Sequence, residues 1–231
     1  MYNHLNEEKG SGTELLDILF GAIAGIKESN LTKNKILLER IYTDIHDDLA
    51  SNVDYYFGSL ENLGLKCEES LLYHRFIEYW TYEVGYLFFM LINGFYAQIY
   101  RDLRFLLESC IQAYLIDHRY PLDSLKEKLD KGEMKLWGKQ LFEKAFGYTK
   151  IQCTGTTYFQ KTIRLNEKLS KRVHSSPEFQ KEKYYGENIM EKILRSFFTP
   201  EYPEEEFSDY LDLICEVHRH LMKLFDSGFK Y

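Results

Sequence analysis

Apolar residues recur at helical spacing along nearly the whole chain, and helix-start and helix-stop residues separate the runs. Ser11-Gly12-Thr13-Glu14 is a capping-box pattern ahead of Leu15, Leu16, Ile18, Leu19 and Phe20, which predicts a first helix to about residue 27. Ser29-Asn30 predicts a stop and a restart, because both side chains compete for helical backbone hydrogen bonds. A second helix follows to about residue 63, with Leu38, Ile41, Tyr42, Ile45, Leu49, Val53, Tyr56, Leu60 and Leu63 holding the 3.6-residue period. A third, about 69–92, is amphipathic at first and apolar all round from Val84 to Ile92, as in a centrally buried helix. Asn93-Gly94 breaks it. A fourth, about 95–118, carries Tyr96, Ile99, Leu103, Leu106, Leu107, Cys110 and Tyr114 on one face and Arg101, Arg104, Glu108 and Gln112 opposite.

Pro121 ends that helix and opens a less regular region, with short helices predicted at 123–129 and 133–146 around Lys131-Gly132 and a loop at 147–156. Further helices are predicted at 157–173, 178–198 and 204–226, the last two separated by Thr199-Pro200-Glu201-Tyr202-Pro203. No polar–apolar alternation bounded by turn signals calls for a strand. The expected fold class is all-α, a single-domain multi-helix bundle with a buried central apolar helix at about 84–92. Residues 1–10 are expected to form a flexible N-terminal tail and 11–231 one helical domain.

Composition narrows the function classes. Hydrophobic residues are 45% and charged residues 28% of the chain, enough to build a core and too apolar for compositional disorder. Nineteen Tyr and sixteen Phe against four Pro suit long helices packed on rings, with aromatic surface left over for a homodimer interface. The net charge of -7 excludes a non-specific nucleic-acid coat and leaves only a local basic patch to hold phosphate. The uncharged stretch 84–100 contains Asn93, Gly94 and Gln98 and falls short of the ~20 apolar residues of a membrane span, so no membrane association is expected. The polar N-terminal residues are not those of a signal or transit peptide, and Cys67, Cys110, Cys153 and Cys215 lie far apart, as reduced buried thiols would. The expected location is the cytoplasm.

The most distinctive polar feature is on the 157–173 helix. Helical projection puts Lys161, Arg164, Lys168, Lys171 and Arg172 on one side, opposite Phe159, Ile163, Leu169 and Val173, with His174 at the end. Such a stripe could follow an RNA backbone and present a titratable group, or be a solvated face with a histidine on the helix dipole. Arg101, Arg104 and Glu108 form a second stripe, read either as the lining of a cleft or as an exposed ion pair. His218 falls within an apolar stripe of Leu211, Ile214, Leu221, Met222 and Phe225 and is expected to be a hydrogen-bonded core residue. His220 points away from that stripe, so the two form no helical metal pair. Glu-x-x-His, phosphate-loop, dinucleotide-fold, zinc-protease and nucleophile-elbow motifs are all missing, and neither a metal nor a cofactor is expected.

Two segments, LINGFYAQIYRDLRFLLESCIQAYLIDHRYP (91–121) and LNEKLSKRVHSS (165–176), together resemble HEPN-like all-helical proteins of archaea and bacteria. In that group an Arg- and Glu-bearing helix packs beside one ending in a Leu-Ser-x-x-Val-His segment. The resemblance implies the metal-independent ribonuclease chemistry of toxin and phage-defence systems, which uses an arginine four to six residues before a histidine. Here Lys168 stands at the arginine's place and Arg172 is two residues before His174. Arg40 and His46 have suitable spacing but lie about 120° apart around one helix. If the chain is a nuclease, His174 is the general acid or base, and Arg172 or Lys168 stabilises the phosphorane charge. Relatives without the full motif resemble binding or antitoxin-side modules. The departure leans this chain the same way, toward an interaction module of a defence or mobile-element system with RNA or a protein as partner; the ribonuclease is the alternative.

Overall fold

The computed structural model describes residues 9–131, 135–148, 155–173 and 204–229. Its elements are α1 (Lys9–Asn62), α2 (Leu71–Glu78), a π-helical turn (Tyr79–Glu83), α3 (Val84–Ile92), α4 (Tyr96–Arg119), α5 (Leu125–Leu129), α6 (Gly138–Tyr148), α7 (Gly155–Val173) and α8 (Glu204–Phe229), with a 3₁₀ turn at Cys67–Glu69. No strand occurs among the described residues. The protein is an all-α helical bundle, and no helix among the described residues is long and apolar enough to cross a membrane.

The expected break at Ser29-Asn30 is absent: α1 runs straight through it. The Asn30 side chain is buried, and its amide donates to the Leu91 carbonyl (3.4 Å), the Ile92 carbonyl (3.0 Å) and the Tyr96 hydroxyl (3.3 Å). A residue expected to compete with its own helix instead donates to carbonyls at the end of α3, where Leu91 also accepts from the Gly94 N–H. The α3–α4 corner needs Gly94 twice over. Its φ is +77°, and an added Cβ would lie 2.8 Å from Ile26 Cγ2 on α1.

The predicted third helix is found as α2 and α3 joined through the π-helical turn, which brings Tyr79 into the interior. Two acceptors cap its start. Ser70 Oγ accepts from the Tyr73 N–H, and the Asp117 carboxylate, from the end of α4, accepts from the Leu71 and Leu72 N–H groups. The segment 84–92 buries its inner side and leaves Phe89 54% exposed. Enclosure is more complete in α4, where every residue from Leu106 to Ile116 is buried. Helices α2, α6, α7 and α8 all pack on it. The helix predicted at 133–146 begins only at Gly138, whose φ of +56° interrupts the chain there, and the one predicted at 178–198 lies outside the described residues. Of the expected flexible tail, residues 1–8 also lie outside them.

Rings fill the junction of α1, α2 and α8. Tyr56 meets Phe76 edge-on at 4.9 Å, Phe76 meets Phe225 at 5.3 Å, and the Tyr56 hydroxyl donates to Asp226 at 2.8 Å. Gly228 permits this closeness, since a Cβ there would lie 2.2 Å from Leu72 Cδ2. Cys67 and Cys110 are buried free thiols and Cys215 is half-buried, while Cys153 is outside the described residues.

Candidate functional site

Helix α7 turns Tyr158, Thr162, Leu165, Asn166 and Leu169 inward and leaves Lys161, Arg164, Lys168 and Lys171 exposed. The face is not purely cationic in its surroundings, because Lys168 Nζ lies 3.1 Å from Glu216 on α8. Arg172 belongs to α7, but its side chain is outside the described set, and so is the whole of His174. The pairing on which a nuclease reading depends therefore lies outside the described residues.

The α4 stripe divides. Arg101 is 66% exposed and, among the described residues, pairs with Asp102 alone, at 3.9 Å. Arg104 binds Glu108 at 3.0 Å, yet Glu108 is 5% exposed, so the pair is not the exposed one expected from sequence. The cause is the chain around 136–138. Gln112 Nε2 donates to the Leu136 carbonyl, Trp137 stacks on Phe105, and a Cβ at Gly138 would lie 3.9 Å from Glu108 Oε1.

Both C-terminal histidines serve the core. Asp48 accepts from His218 Nε2 (3.0 Å), which leaves Nδ1 to accept from the fully buried Tyr79 hydroxyl (3.1 Å). His220 points to α7 instead. Its ring stacks on Tyr158 at 4.2 Å, and its Nε2–H donates to Thr162 Oγ1 at 2.6 Å, because that hydroxyl already donates to the Tyr158 carbonyl. Burial pushes the His220 imidazole down to about 4, with Lys223 and Lys161 adding repulsion, and burial also lowers His218. Arg40 is exposed, while His46 Nε2 accepts from the Trp80 indole.

Sequence reasoning missed a different constellation, where α1, α2, α4, α5 and α8 meet. A cavity of about 370 Å³ opens there, walled by Leu60, Leu65, Leu72, Leu122 and Phe229. Lys128 of α5 lines it at 2% exposure. Its ammonium donates to Asp117 Oδ1 (3.0 Å) and to the Glu69 carbonyl (2.6 Å). Asp117 is saturated: Oδ1 also accepts from the Leu71 N–H and Oδ2 from Ser70 Oγ and the Leu72 N–H. Glu69 in turn accepts from the Leu125 N–H at the start of α5. Lys128 could not be singled out beforehand, because a lysine on a five-residue helix reads as surface. Among the described residues no group of three His, Cys, Asp or Glu is placed to hold a metal ion.

No family model, no curated protein and no solved structure matches the chain.

Proposed function

We propose that the protein is a helical binding module whose ligand site is the cavity between α1, α2, α4, α5 and α8. The observation that carries this reading is the cavity itself, a largely apolar space of about 370 Å³ whose lining includes the hydrogen-bonded Lys128–Asp117 pair. Its size and make-up, apolar walls with a few fixed polar groups, are those of small-molecule sites.

The test is to fill the space. Leu65→Trp places a ring in the cavity from a half-buried position. A medium-chain alcohol should raise the melting temperature of the wild type and leave the variant unmoved. Equal responses from both proteins would remove the cavity as the site.

A metal-independent ribonuclease is the second reading, favoured by the exposed Lys161, Arg164 and Lys171 on the helix that leads to His174. RNA cleavage that persists in EDTA and disappears in His174→Ala would establish it. No cleavage, or equal cleavage by both proteins, would dismiss it.

A further inference from the structure

The one carboxylate of the cavity lining is fully used, while its ammonium groups are not. All four hydrogen-bonding positions of Asp117 are taken, by Lys128, Ser70 and two backbone N–H groups. Ser70 Oγ donates to Asp117 and accepts from the Tyr73 N–H. Lys128 has three N–H donors, of which Asp117 and the Glu69 carbonyl take two. Lys66 also lines the cavity; it is exposed and has no ion pair among the described residues. The lining thus holds two ammonium groups against one carboxylate whose charge is already shared.

Resting on the binding-module reading above, we infer that the cavity takes a medium-chain monocarboxylate. The hydrocarbon tail lies against Leu60, Leu65, Leu72 and Phe229, and the carboxylate accepts from Lys128 and Lys66. An alcohol would satisfy one donor and bring no charge to offset the second ammonium. An alkylammonium would meet like charge at Lys128 and Lys66, with the one carboxylate already taken. The tail length follows from the volume. With a methylene taken as close to the ~30 Å³ that a water occupies in liquid, and packing below full density, the space holds about eight to twelve carbons.

The experiment is isothermal titration of the full chain with decanoate, decanol and decyltrimethylammonium at pH 8 in low salt, repeated with Lys66→Glu. Lys66 is exposed, so its charge reversal leaves the fold intact, and circular dichroism verifies this. The expected result is decanoate binding at least tenfold tighter than decanol, no binding of the cation, and loss of the decanoate preference in Lys66→Glu. Decanol binding as tightly as decanoate, or a decanoate preference that survives Lys66→Glu, would overturn the carboxylate inference and leave the cavity reading standing. If none of the three binds, the cavity reading falls and takes the inference with it.

Discussion

Single residues in this protein act mostly by closing polar accounts between helices. Burial keeps His220 neutral where it stacks on Tyr158 and donates to Thr162, and its pKa is pushed down to about 4 from an ordinary 6.5. Between those values the unfolded chain binds the proton and the folded one does not, so stability falls as pH drops through 6.5 and the loss is complete below about 4. The shift corresponds to roughly 3 kcal/mol. Urea unfolding followed from pH 7.5 to 4.5 should show this decline, and His220→Asn should flatten much of it. A slope unchanged in the variant would place the dependence elsewhere. Gly228 makes a steric prediction. Gly228→Ala drives a methyl into Leu72 and should cost about 1–3 kcal/mol in urea unfolding. Added to Leu72→Ala, it should cost clearly less than it does alone.

At the scale of elements, much of the helical pattern was legible because amphipathic periodicity reports burial directly. The third and fourth helices, the 157–173 helix and the last one are found near their expected limits. The misreadings share a cause: local signals were overridden by tertiary partners. Asn30 reads as a breaker until its amide is seen to donate across to the carbonyls of Leu91 and Ile92. Asn30→Ala is therefore expected to destabilise the fold by about 1–3 kcal/mol despite alanine's better helix propensity, with helical circular dichroism unchanged before the transition. A more stable variant would show that propensity dominates there. Glu108 reads as exposed until the chain at 136–138 is laid over it. The π-helical turn has no sequence signature, yet it turns Tyr79 toward His218. Of the candidate site, the exposure of the basic stripe was legible from spacing. The cavity was not, since its wall is drawn from five helices that only the tertiary fold brings together.

For the whole molecule, the polar joints are placed where helices from distant parts of the chain meet. Asp48–His218–Tyr79 ties α1, the π-helical turn and α8, while Lys128–Asp117–Ser70 ties α5, α4 and the start of α2. Removing Asp117 from the second joint leaves the buried Lys128 ammonium without its carboxylate. Asp117→Ala should thus cost about 3–5 kcal/mol, more than a typical buried Leu→Val change, as read by thermal unfolding. Lys128→Met, which removes the ammonium but keeps its volume, should restore part of that loss when combined with it. The double variant being as unstable as Asp117→Ala alone would show that capping of α2, and not the ion pair, is what Asp117 contributes.

The burial of the thiols gives the fold a clock. Cys110 is sealed in the middle of α4, Cys67 sits beneath the end of α1, and Cys215 lies half-open on α8. Burial raises all three thiols, most strongly Cys110, so none is a ready thiolate in the folded state. With Cys153 replaced by serine, a dilute alkylating reagent should modify Cys215 first and Cys110 last, the latter only when α4 is laid bare. The interval between the two reactions then measures how much more often the rim of the bundle breathes than its axis comes apart.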